Sequence, residues 1–453
     1  LIGDPVGTLA RVPLAGGAPR ELLENVFEVD WSPDGSAFAV VRKAQNGFRL
    51  EYPAGNLLYE TAGWISGTRF SRTGDRIAFI DHPARGNMGG AVAVVDLKGN
   101  KRTLGPNFID ARGLAWSASG AEIFYTASNV PAITAVYAVD LSGKQRLVMP
   151  STGNLTLQDV APDGHLLLSQ SSLRLALMVQ AEGQAEPRDL SWMDRSMLAD
   201  LSADGKTVVF LEAGGAEAAQ KAAGAIYLRK TDGSPAVKLA GGTVSRLSPD
   251  GRFVIATSKD SFSDELLLLP TGAGEQKAVP LGPLTLTWDP IWFPDGKRIL
   301  ARAREGQGKS RLWVLDLAGA APRAITPEGI GVSFVVSPDG SQVVVHDPQG
   351  RLAMYPAAGG DSRAVPGAEP DEVPAGWSAD GSALFVLQPR QTPPTIRRLD
   401  LASGRHEPLA TLAMPDPAGT GPIFAAVVNA DGRSLAYNYE INLHDLYLVD
   451  GVR

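Results

Sequence analysis

The stretch Trp31-Ser32-Pro33-Asp34-Gly35 decides the fold, because related stretches recur along the whole chain. Each is an apolar or aromatic residue followed by a turn that resembles Ser-Pro-Asp-Gly. The ten copies end at Gly35, Gly74, Gly120, Gly164, Gly205, Gly251, Gly296, Gly340, Gly381 and Gly432. Successive glycines lie between 39 and 51 residues apart. The sequence therefore contains ten copies of one repeat, at a period close to the roughly 40–45 residues typical of a propeller blade.

The turn has a clear physical chemistry. Its serine side chain can accept a hydrogen bond from the turn backbone, and its proline presets φ at the second position. Its glycine adopts the positive φ that a tight hairpin requires. We therefore expect each copy to join two antiparallel strands.

Each turn is followed by the same order of strand patterns. The strand that directly follows the turn is the second strand of the repeat and is apolar, as at residues 207–211. After a variable loop comes the third strand, which is also apolar, as at 311–317. A glycine-containing turn then leads to a polar outer strand, as at 323–326. Near-continuous apolar runs are typical of sheets covered on both faces. The sequence thus predicts an all-β propeller of ten four-stranded repeats.

The two ends of the chain leave the closure of this propeller open. The last repeat has strands at 434–437 and 446–449 but lacks an outer strand, whereas the chain starts with a third-type strand at 9–14 and an outer strand at 20–23. In a single ten-bladed ring, residues 20–23 pair with 446–449. In a two-ring arrangement, residues 188–192 close six repeats that start at Leu201, and the other four belong to a ring whose first blades lie upstream of Leu1.

We favour two rings, because the strand at Leu9 is redundant in the single ring. The predicted domains are residues 1–185, four repeats of an incomplete ring, and residues 186–453, a six-bladed propeller.

Composition excludes several classes of function. The net charge of -7 arises from 42 Lys and Arg against 49 Asp and Glu, and this offers no basic surface for nucleic acid. The absence of cysteine excludes disulfides, thiolate catalysis and cysteine zinc sites. No apolar stretch reaches the roughly 18 residues of a membrane span. Because the chain opens at Leu1, without Met or a leader, we expect it to be part of something longer.

The repeats resemble the TolB-type, WD40-like (PD40) propeller. Four longer segments are more specifically similar to the C-terminal region of bacterial eukaryotic-like serine/threonine protein kinases. They are residues 9–24 (LARVPLAGGAPRELLE), 227–242 (YLRKTDGSPAVKLAGG), 292–300 (WFPDGKRIL) and 445–451 (DLYLVDG). The resemblance covers nearly the whole chain.

This resemblance implies an extracytoplasmic propeller, periplasmic or at the cell surface, that senses or scaffolds and follows an upstream membrane anchor. The kinase domain of that family is N-terminal. The sequence has no His-Arg-Asp catalytic loop, no Asp-Phe-Gly and no glycine-rich ATP loop, so no kinase residue can be assigned. We therefore expect this chain not to be an enzyme, even if its parent protein is a kinase.

Other chemical motifs are weak. Residues 305–310 end like a phosphate-binding loop, but they join two strands rather than opening a helix. The five histidines, at 82, 165, 346, 406 and 444, have no partner at metal-ligand spacing. Residues 63–67 miss the spacing of a serine nucleophile elbow. We predict no catalytic residue, no metal and no cofactor.

One set of positions stands out as a candidate binding site. Two residues before the serine of each turn, on the strand beside the central channel, charge occurs in five of the first six repeats and in none of the last four. The charged residues are Asp30, Arg69, Asp159, Asp200 and Arg246. Their plainer interpretation is ion pairing between neighbouring blades. The functional one is a polar funnel that binds a small ligand or a peptide terminus.

The alanine-rich segment 214–225 is interpreted either as a mobile loop or as a binding loop. The leading hypothesis for the chain is a non-catalytic module that binds a protein, a peptide or a small ligand at the channel mouth. The first alternative is a free periplasmic TolB-like protein that bridges partners. The second is a propeller hydrolase or lyase with residues gathered from several blades, which would need a cluster of perturbed carboxylates or histidines at the channel.

Overall fold

The computed structural model describes residues 6–85, 87–129, 133–213, 224–257, 265–414 and 419–451. All regular structure within these ranges is β-strand. None of the described residues forms a helix long and apolar enough to cross a membrane. The chain divides into two compact units. Unit 1 comprises Leu1–Ser172 and Leu443–Arg453, and unit 2 comprises Leu173–Asn442.

Three complete antiparallel sheets belong to unit 1. Sheet A contains β1 (Gly7–Arg11), β2 (Arg20–Trp31), β3 (Phe38–Ala44), β4 (Gly47–Glu51) and β5 (Leu57–Thr61). Sheet B contains β6 (Trp64–Phe70), β7 (Arg76–His82), β8 (Ala91–Asp96) and β9 (Lys101–Thr103). Sheet C contains β10 (Asp110–Trp116), β11 (Glu122–Ser128), β12 (Ala135–Asp140) and β13 (Gln145–Met149). In each sheet, strands that follow one another in sequence are paired.

A further sheet, sheet D, has the strand order β14 (Asn154–Val160), β15 (Leu166–Gln180), β39 (Leu435–Val449) and β38 (Thr420–Val428). The short strand β16 (Arg188–Asp189) also pairs with β15. Strands β15 and β39 are each 15 residues long. The boundary between the two units falls within both of them.

Five complete sheets belong to unit 2. Sheet E contains β17 (Ser196–Leu201), β18 (Thr207–Glu212), β19 (Ala225–Lys230) and β20 (Val237–Gly241). Sheet F contains β21 (Thr243–Leu247), β22 (Phe253–Thr257), β23 (Leu266–Pro270) and β24 (Lys277–Val279). Sheet G contains β25 (Leu284–Leu286), β26 (Ile291–Trp292), β27 (Arg298–Glu305), β28 (Arg311–Asp316) and β29 (Arg323–Ala324). Sheet H contains β30 (Phe334–Val336), β31 (Gln342–His346), β32 (Leu352–Pro356) and β33 (Arg363–Ala364). Sheet I contains β34 (Val373–Trp377), β35 (Ala383–Gln388), β36 (Thr395–Asp400) and β37 (His406–Thr411).

The repeated turns have the predicted geometry. In the first copy, Gly35 has φ of 67°, and the Ala37 amide donates to Ser32 Oγ at 3.1 Å. The Ser32 hydroxyl donates in turn to Asp34 Oδ1 at 2.6 Å. The glycines that end the other nine copies also have positive φ, between 64° and 92°. The sequence motif thus acts through local backbone chemistry.

The core lies between neighbouring sheets, as the apolar runs predict. In β8, all five residues from Ala91 to Val95 are buried, so both faces of this strand are covered. One cluster between sheets F and G contains Leu266, Trp292 and Trp313. Burial on both faces explains why the second and third strands are continuously apolar rather than alternating.

The predicted boundary at residues 185 and 186 differs from the observed division. The structure places residues 173–185 in unit 2 and residues 443–453 in unit 1. The two strands expected at 434–437 and 446–449 form the single strand β39. Because one continuous strand serves both units, a single cut point in the sequence cannot separate them.

The pairings that were expected to close the propeller are also different. Residues 188 and 189 pair with Val179 and Met178 rather than with 446–449. In unit 1, β2 pairs through Leu23 and Glu21 with Leu9 and Ala10 of β1, and no β2–β39 pairing occurs among the described strands. The single-ring closure through residues 20–23 is therefore absent. The counts of blades and rings stay predictions.

The aromatic residue before the turn, such as Trp31, Trp116 or Trp377, is predicted to be buried, because the faces of its strand are expected to be covered by neighbouring blades. Trp116 and Trp377 are buried, but Trp31 is 55% exposed. The Trp116 indole covers the first strand of the preceding sheet, where it donates to the Arg69 carbonyl. Trp31 belongs to the first sheet of unit 1 and contacts Phe38 of its own sheet at 5.6 Å between ring centroids. The expectation was wrong for Trp31, because its burial depends on a neighbouring sheet and not on the turn itself.

Candidate functional site

A central cavity in unit 2 is formed by six strands. Strands β17, β21, β26, β30, β34 and β38, with the turns that follow them, line a cavity of about 380 Å³. These are strands beside the predicted channel, and each carries one of the positions identified two residues before the turn. The structure therefore brings Asp200 and Arg246 together with the uncharged residues Ile291, Val335, Gly376 and Val427.

The only charged residues that line this cavity among the described residues are Asp200 and Arg246. Arg246 Nη1 donates to Asp200 Oδ1 at 2.9 Å, and the Leu247 amide donates to Asp200 Oδ2 at 2.9 Å. The Trp292 indole donates to the Arg246 carbonyl at 3.3 Å. Three neighbouring strands thus hold the ion pair in place. The Arg246 side chain is still 29% exposed, compared with 13% for Asp200.

A second carboxyl group near Arg246 was not identified from the sequence. Asp289 lies between β25 and β26, where sheet G is interrupted before Pro290. Burial raises the pKa of Asp289 to about 6, and the nearby charge of Arg246 opposes this only in part. The Asp-Pro break in an otherwise regular strand was the available sequence signal. Arg246 therefore interacts electrostatically with Asp289 in addition to its direct ion pair with Asp200.

The corresponding residues of unit 1 are arranged differently. The Phe70 amide donates to Asp30 Oδ2 at 2.8 Å, as the Leu247 amide does to Asp200. Arg69 instead donates to the carbonyls of Thr68 and Gln158, at 2.9 and 3.4 Å. Desolvation by burial raises the pKa of Asp30, with opposing contributions from the Phe70 amide and from Arg69. Asp30 and Arg69 interact electrostatically but do not form the direct ion pair expected from the sequence.

The third predicted residue of unit 1, Asp159, accepts a hydrogen bond from the Val160 amide at 2.8 Å. Its charge makes a small contribution to the raised pKa of Asp30. Arg72, which the sequence did not single out, donates to the carbonyls of Ser117 and Val160 at 3.0 and 3.2 Å. Arg72 thereby links the second, third and fourth repeats of unit 1.

A serine–histidine pair in unit 1 bears on the alternative of a hydrolase. His82 Nδ1 lies 2.9 Å from the Gly89 carbonyl, which can only accept, so Nδ1 carries the proton. His82 Nε2 then accepts from Ser66 Oγ at 2.8 Å. Burial lowers the pKa of His82 to about 4, which makes it a weak base. Trp64 stacks on the imidazole at 3.6 Å.

The amides that could assist Ser66 in catalysis are already occupied. Glu28 accepts from the Gly67 and Thr68 amides at 3.1 Å each. A serine nucleophile needs free amide donors beside it to stabilise an oxyanion. The Ser66–His82 pair fits best as a hydrogen-bonded link between β6 and β7. That the chain is not an enzyme stays a prediction.

His406 belongs to a buried ionic cluster in unit 2. The Glu372 carboxylate, which is fully buried, lies 2.6 Å from Arg397 Nη2 and 2.9 Å from His406 Nε2. Gln388 Nε2 donates to the same carboxylate at 3.2 Å. A buried carboxylate needs such partners, so we assign the cluster a structural role. Within the described ranges, no group of three or more His, Asp or Glu residues is placed to hold a metal ion.

A groove of about 710 Å³ lies between sheets E and F of unit 2. It shares Ser202, Ala203, Leu247, Ser248 and Pro249 with the lining of the central cavity. The two spaces therefore meet at the turns of these sheets. The sequence did not predict this groove, because it depends on which turns become neighbours.

The candidate binding loop at 214–225 lies outside the described residues except for its last two positions.

No family model matches this chain, and no curated protein matches it by sequence. Solved structures that are similar to it include the GH74 enzyme of Niastella koreensis, with 12% identity, 91% of this chain and 75% of that chain covered, and a TM-score of 0.37. The Nidogen/Laminin complex has 13% identity, 51% and 91% coverage, and a TM-score of 0.37. TolB from Acinetobacter baumannii has 13% identity, 88% and 78% coverage, and a TM-score of 0.24.

Identities and TM-scores this low say nothing about function. The repeated antiparallel sheets, covered on both faces, and the cavity lined by six channel-side strands define the class. The chain is an all-β propeller protein.

Proposed function

We propose that this chain is a non-catalytic binding module that recognises a protein or peptide partner at the central cavity of unit 2. The observation that carries this proposal is the unequal lining of the cavity. One wall holds the Asp200–Arg246 ion pair, whereas the other channel positions are Ile291, Val335, Gly376 and Val427. A few oriented polar groups within a mostly apolar concave surface are typical of ligand sites.

The groove supports a polypeptide partner over a small ligand. It continues from the cavity between sheets E and F, so the combined space is long and branches away from the channel. An extended chain fills such a space better than a compact molecule does. Propellers suit this role because their rigid blades hold loops and turns in fixed positions.

We further propose that the chain is the extracytoplasmic C-terminal sensing or scaffolding region of a membrane-anchored bacterial serine/threonine kinase. Support comes from the sequence resemblance of residues 9–24, 227–242, 292–300 and 445–451. The competing role is that of a free periplasmic TolB-like protein. The upstream coding sequence discriminates between them, because a kinase domain with a membrane span supports the first and a signal peptide supports the second.

The binding proposal is tested by filling the cavity. Val335 lines it, whereas Val332 lies just before the same strand, is 39% exposed, and does not line it. The probes are synthetic peptides selected on the wild-type protein from a random dodecapeptide display library. We expect V335W to weaken their binding at least about tenfold and V332W to leave it unchanged, by isothermal titration calorimetry. Equal binding to both variants, or selection of no peptide, would overturn the proposal.

A further inference from the structure

The two halves of sheet D differ in the number of their strands. The half in unit 2 contains β38, residues 435–441 of β39, the C-terminal part of β15, and β16. The half in unit 1 contains β14, the N-terminal part of β15, and residues 443–449 of β39. Strand β38 pairs with β39 only at 435–441, so one edge of residues 443–449 has no partner among the described strands. The counterpart of β16 is therefore not found at this edge within the described part of the chain.

The sequence at this edge matches the third strand of the repeat. Residues 445–450 (DLYLVD) align with residues 311–316 (RLWVLD) of β28, so that Leu446 corresponds to Leu312. Leu312 is 0% exposed, whereas Leu446 is 68% exposed. Leu448, two residues further along β39, is 70% exposed. The edge thus presents apolar side chains to solvent at a repeat position that is buried in sheet G.

The outer strands of four sheets show which sequence completes a sheet beside this position. Each of them, with the residue that follows it, contains arginine, a second residue and then an aliphatic residue, whose side chain is at most 4% exposed. The amide of the aliphatic residue donates to a third-strand carbonyl at the position equivalent to Leu446, at between 2.8 and 3.2 Å. These donor and acceptor pairs are Leu104 and Val92, Leu190 and Leu177, Ile325 and Leu312, and Val365 and Leu352. The chain therefore completes its own sheets with one short pattern, Arg-x-Leu/Ile/Val.

The apolar surface beside the free edge is narrow. Val449 of β39 and Leu155 of β14 pack in one cluster with residues of sheet C, so the alternate residues of these strands, including Leu446 and Leu448, lie on the opposite face. On the inner strands, that face carries four polar residues, Asn154, Thr156, Ser169 and Ser171. A further propeller sheet would need an apolar face across all of the strands. The surface therefore fits one added strand rather than a further sheet.

We infer that the free edge of residues 443–449 binds an extended segment of a partner polypeptide with the pattern Arg-x-Leu/Ile/Val. The segment pairs with β39 as an outer strand, and the amide of its aliphatic residue donates to the Leu446 carbonyl. Its aliphatic side chain covers Leu446 and Leu448. An unpaired strand edge is a template for pairing of this kind. The site shares no residue with the central cavity of unit 2, so the inference goes beyond the proposed function.

The probe for this site copies an outer strand of the chain itself. It is a fluorescein-labelled peptide of residues 321–327 (APRAITP), which contains the pattern with Ile325 as its aliphatic residue. One control peptide carries Ile325→Asp, which removes the aliphatic side chain. A second control peptide carries a methyl group on the Ile325 amide nitrogen, which removes the hydrogen-bond donor. Fluorescence polarisation measures the binding of all three peptides to the complete chain.

Leu446→Asp alters the edge, and Leu57→Asp is its matched control. Both leucines lie on strands of unit 1 and are more than half exposed, at 68% and 51%, so neither substitution buries a charge. Leu57 belongs to β5 of sheet A. Circular dichroism and thermal melts check that both variants are folded before binding is measured.

We expect the probe to bind the wild type and each control peptide to bind at least about tenfold more weakly, because each lacks one contact of the added strand. Leu446→Asp should weaken probe binding by a similar factor. Leu57→Asp and V335W should change it less than about twofold, because both lie away from the edge. In hydrogen exchange followed by mass spectrometry, the probe should protect the amides of residues 443–449.

Failure of the probe to bind, or equal binding of the three peptides, would overturn the inference. Equal weakening by Leu446→Asp and Leu57→Asp would do the same. A wild type that is dimeric in light scattering and becomes monomeric on Leu446→Asp would show that a second copy covers the edge instead. If V335W rather than Leu446→Asp weakens probe binding, the peptide occupies the central cavity and the edge site fails. If Leu446→Asp acts here while V335W does not affect library-selected peptides, the edge site stands and the proposed cavity fails.

Discussion

The indole of Trp116 donates a hydrogen bond to the carbonyl of Arg69, 3.1 Å away on the first strand of the preceding sheet. Trp292 makes the same contact with Arg246 in unit 2, at 3.3 Å. The conserved geometry of these two pairs shows how one repeat position serves two purposes. The tryptophan packs between sheets, and its hydrogen bond fixes the backbone of a charged channel residue.

This geometry predicts unequal losses of stability at two tryptophans. Trp116→Ala should lower the free energy of unfolding by about 3–5 kcal/mol, because it removes a buried side chain between two sheets. Trp31→Ala should cost less than about 1 kcal/mol, because Trp31 is 55% exposed. Urea unfolding followed by circular dichroism measures both. Equal losses would mean that a partner surface covers Trp31 in solution.

The repeated turn gives a second prediction. Gly35→Val should destabilise the protein by about 1–3 kcal/mol, because a β-branched residue is strained at φ of 67°. Asp34→Ala removes hydrogen bonds at a solvent-exposed turn and should cost less. No atom lies within 4 Å of a Cβ built on Gly35, so the difference reports backbone strain rather than a clash. Thermal melts of the two variants with equal shifts would contradict this assignment.

Asp289 gives a prediction about pH. Its pKa is about 6 in the folded chain, compared with an ordinary value of 3.8. Between pH 3.8 and pH 6, the carboxyl group is therefore mostly protonated in the folded state and mostly ionised in the unfolded state. Stability therefore falls as pH rises through this window. Because asparagine cannot ionise, Asp289→Asn should raise the free energy of unfolding at neutral pH by about 2 kcal/mol relative to the wild type.

The advantage of Asp289→Asn should shrink as pH falls from 6 and vanish near about pH 3, where the wild-type carboxyl is protonated in both states. Urea unfolding at several pH values measures it. Asp339→Asn is a suitable control, because serine hydrogen bonds lower the pKa of Asp339 to about 2. Its effect on stability should have the opposite sign at neutral pH. An advantage of Asp289→Asn that does not depend on pH would show that charge is not the cause.

Local features were predictable from the sequence, and features that depend on neighbours were not. The Ser-Pro-Asp-Gly turns and the strands after them follow from backbone preferences, so the positive φ of Gly35 was expected. The Asp200–Arg246 pair was also expected, because both residues hold the same repeat position in adjacent repeats. The raised pKa of Asp289 depends on burial by other strands. Likewise, the sequence does not show that the turns of Asp204 and Asp250 border one groove.

The last prediction concerns the limits of unit 2. Repeat spacing alone predicts that a fragment starting near Ala185 folds by itself. The structure moves this start to Leu173, because β15 supplies a strand of the last sheet of unit 2. In that strand, Ala176, Leu177, Met178 and Val179 are at most 2% exposed. Asn438 Nδ2 donates to the Ala176 carbonyl at 2.8 Å, which ties β15 to β39.

We therefore expect residues 173–442 to fold cooperatively alone and residues 186–442 to fail. Removal of 173–185 deletes the five buried side chains from Leu175 to Val179, and it leaves β16 and one edge of β39 without β15 as a partner. An open apolar edge of this kind promotes aggregation. Size-exclusion chromatography and urea unfolding distinguish the two fragments, which differ only in these residues. If residues 186–442 form a monomer that unfolds as cooperatively as 173–442, then β15 is not integral to unit 2, and the boundary predicted from the repeats is the correct one.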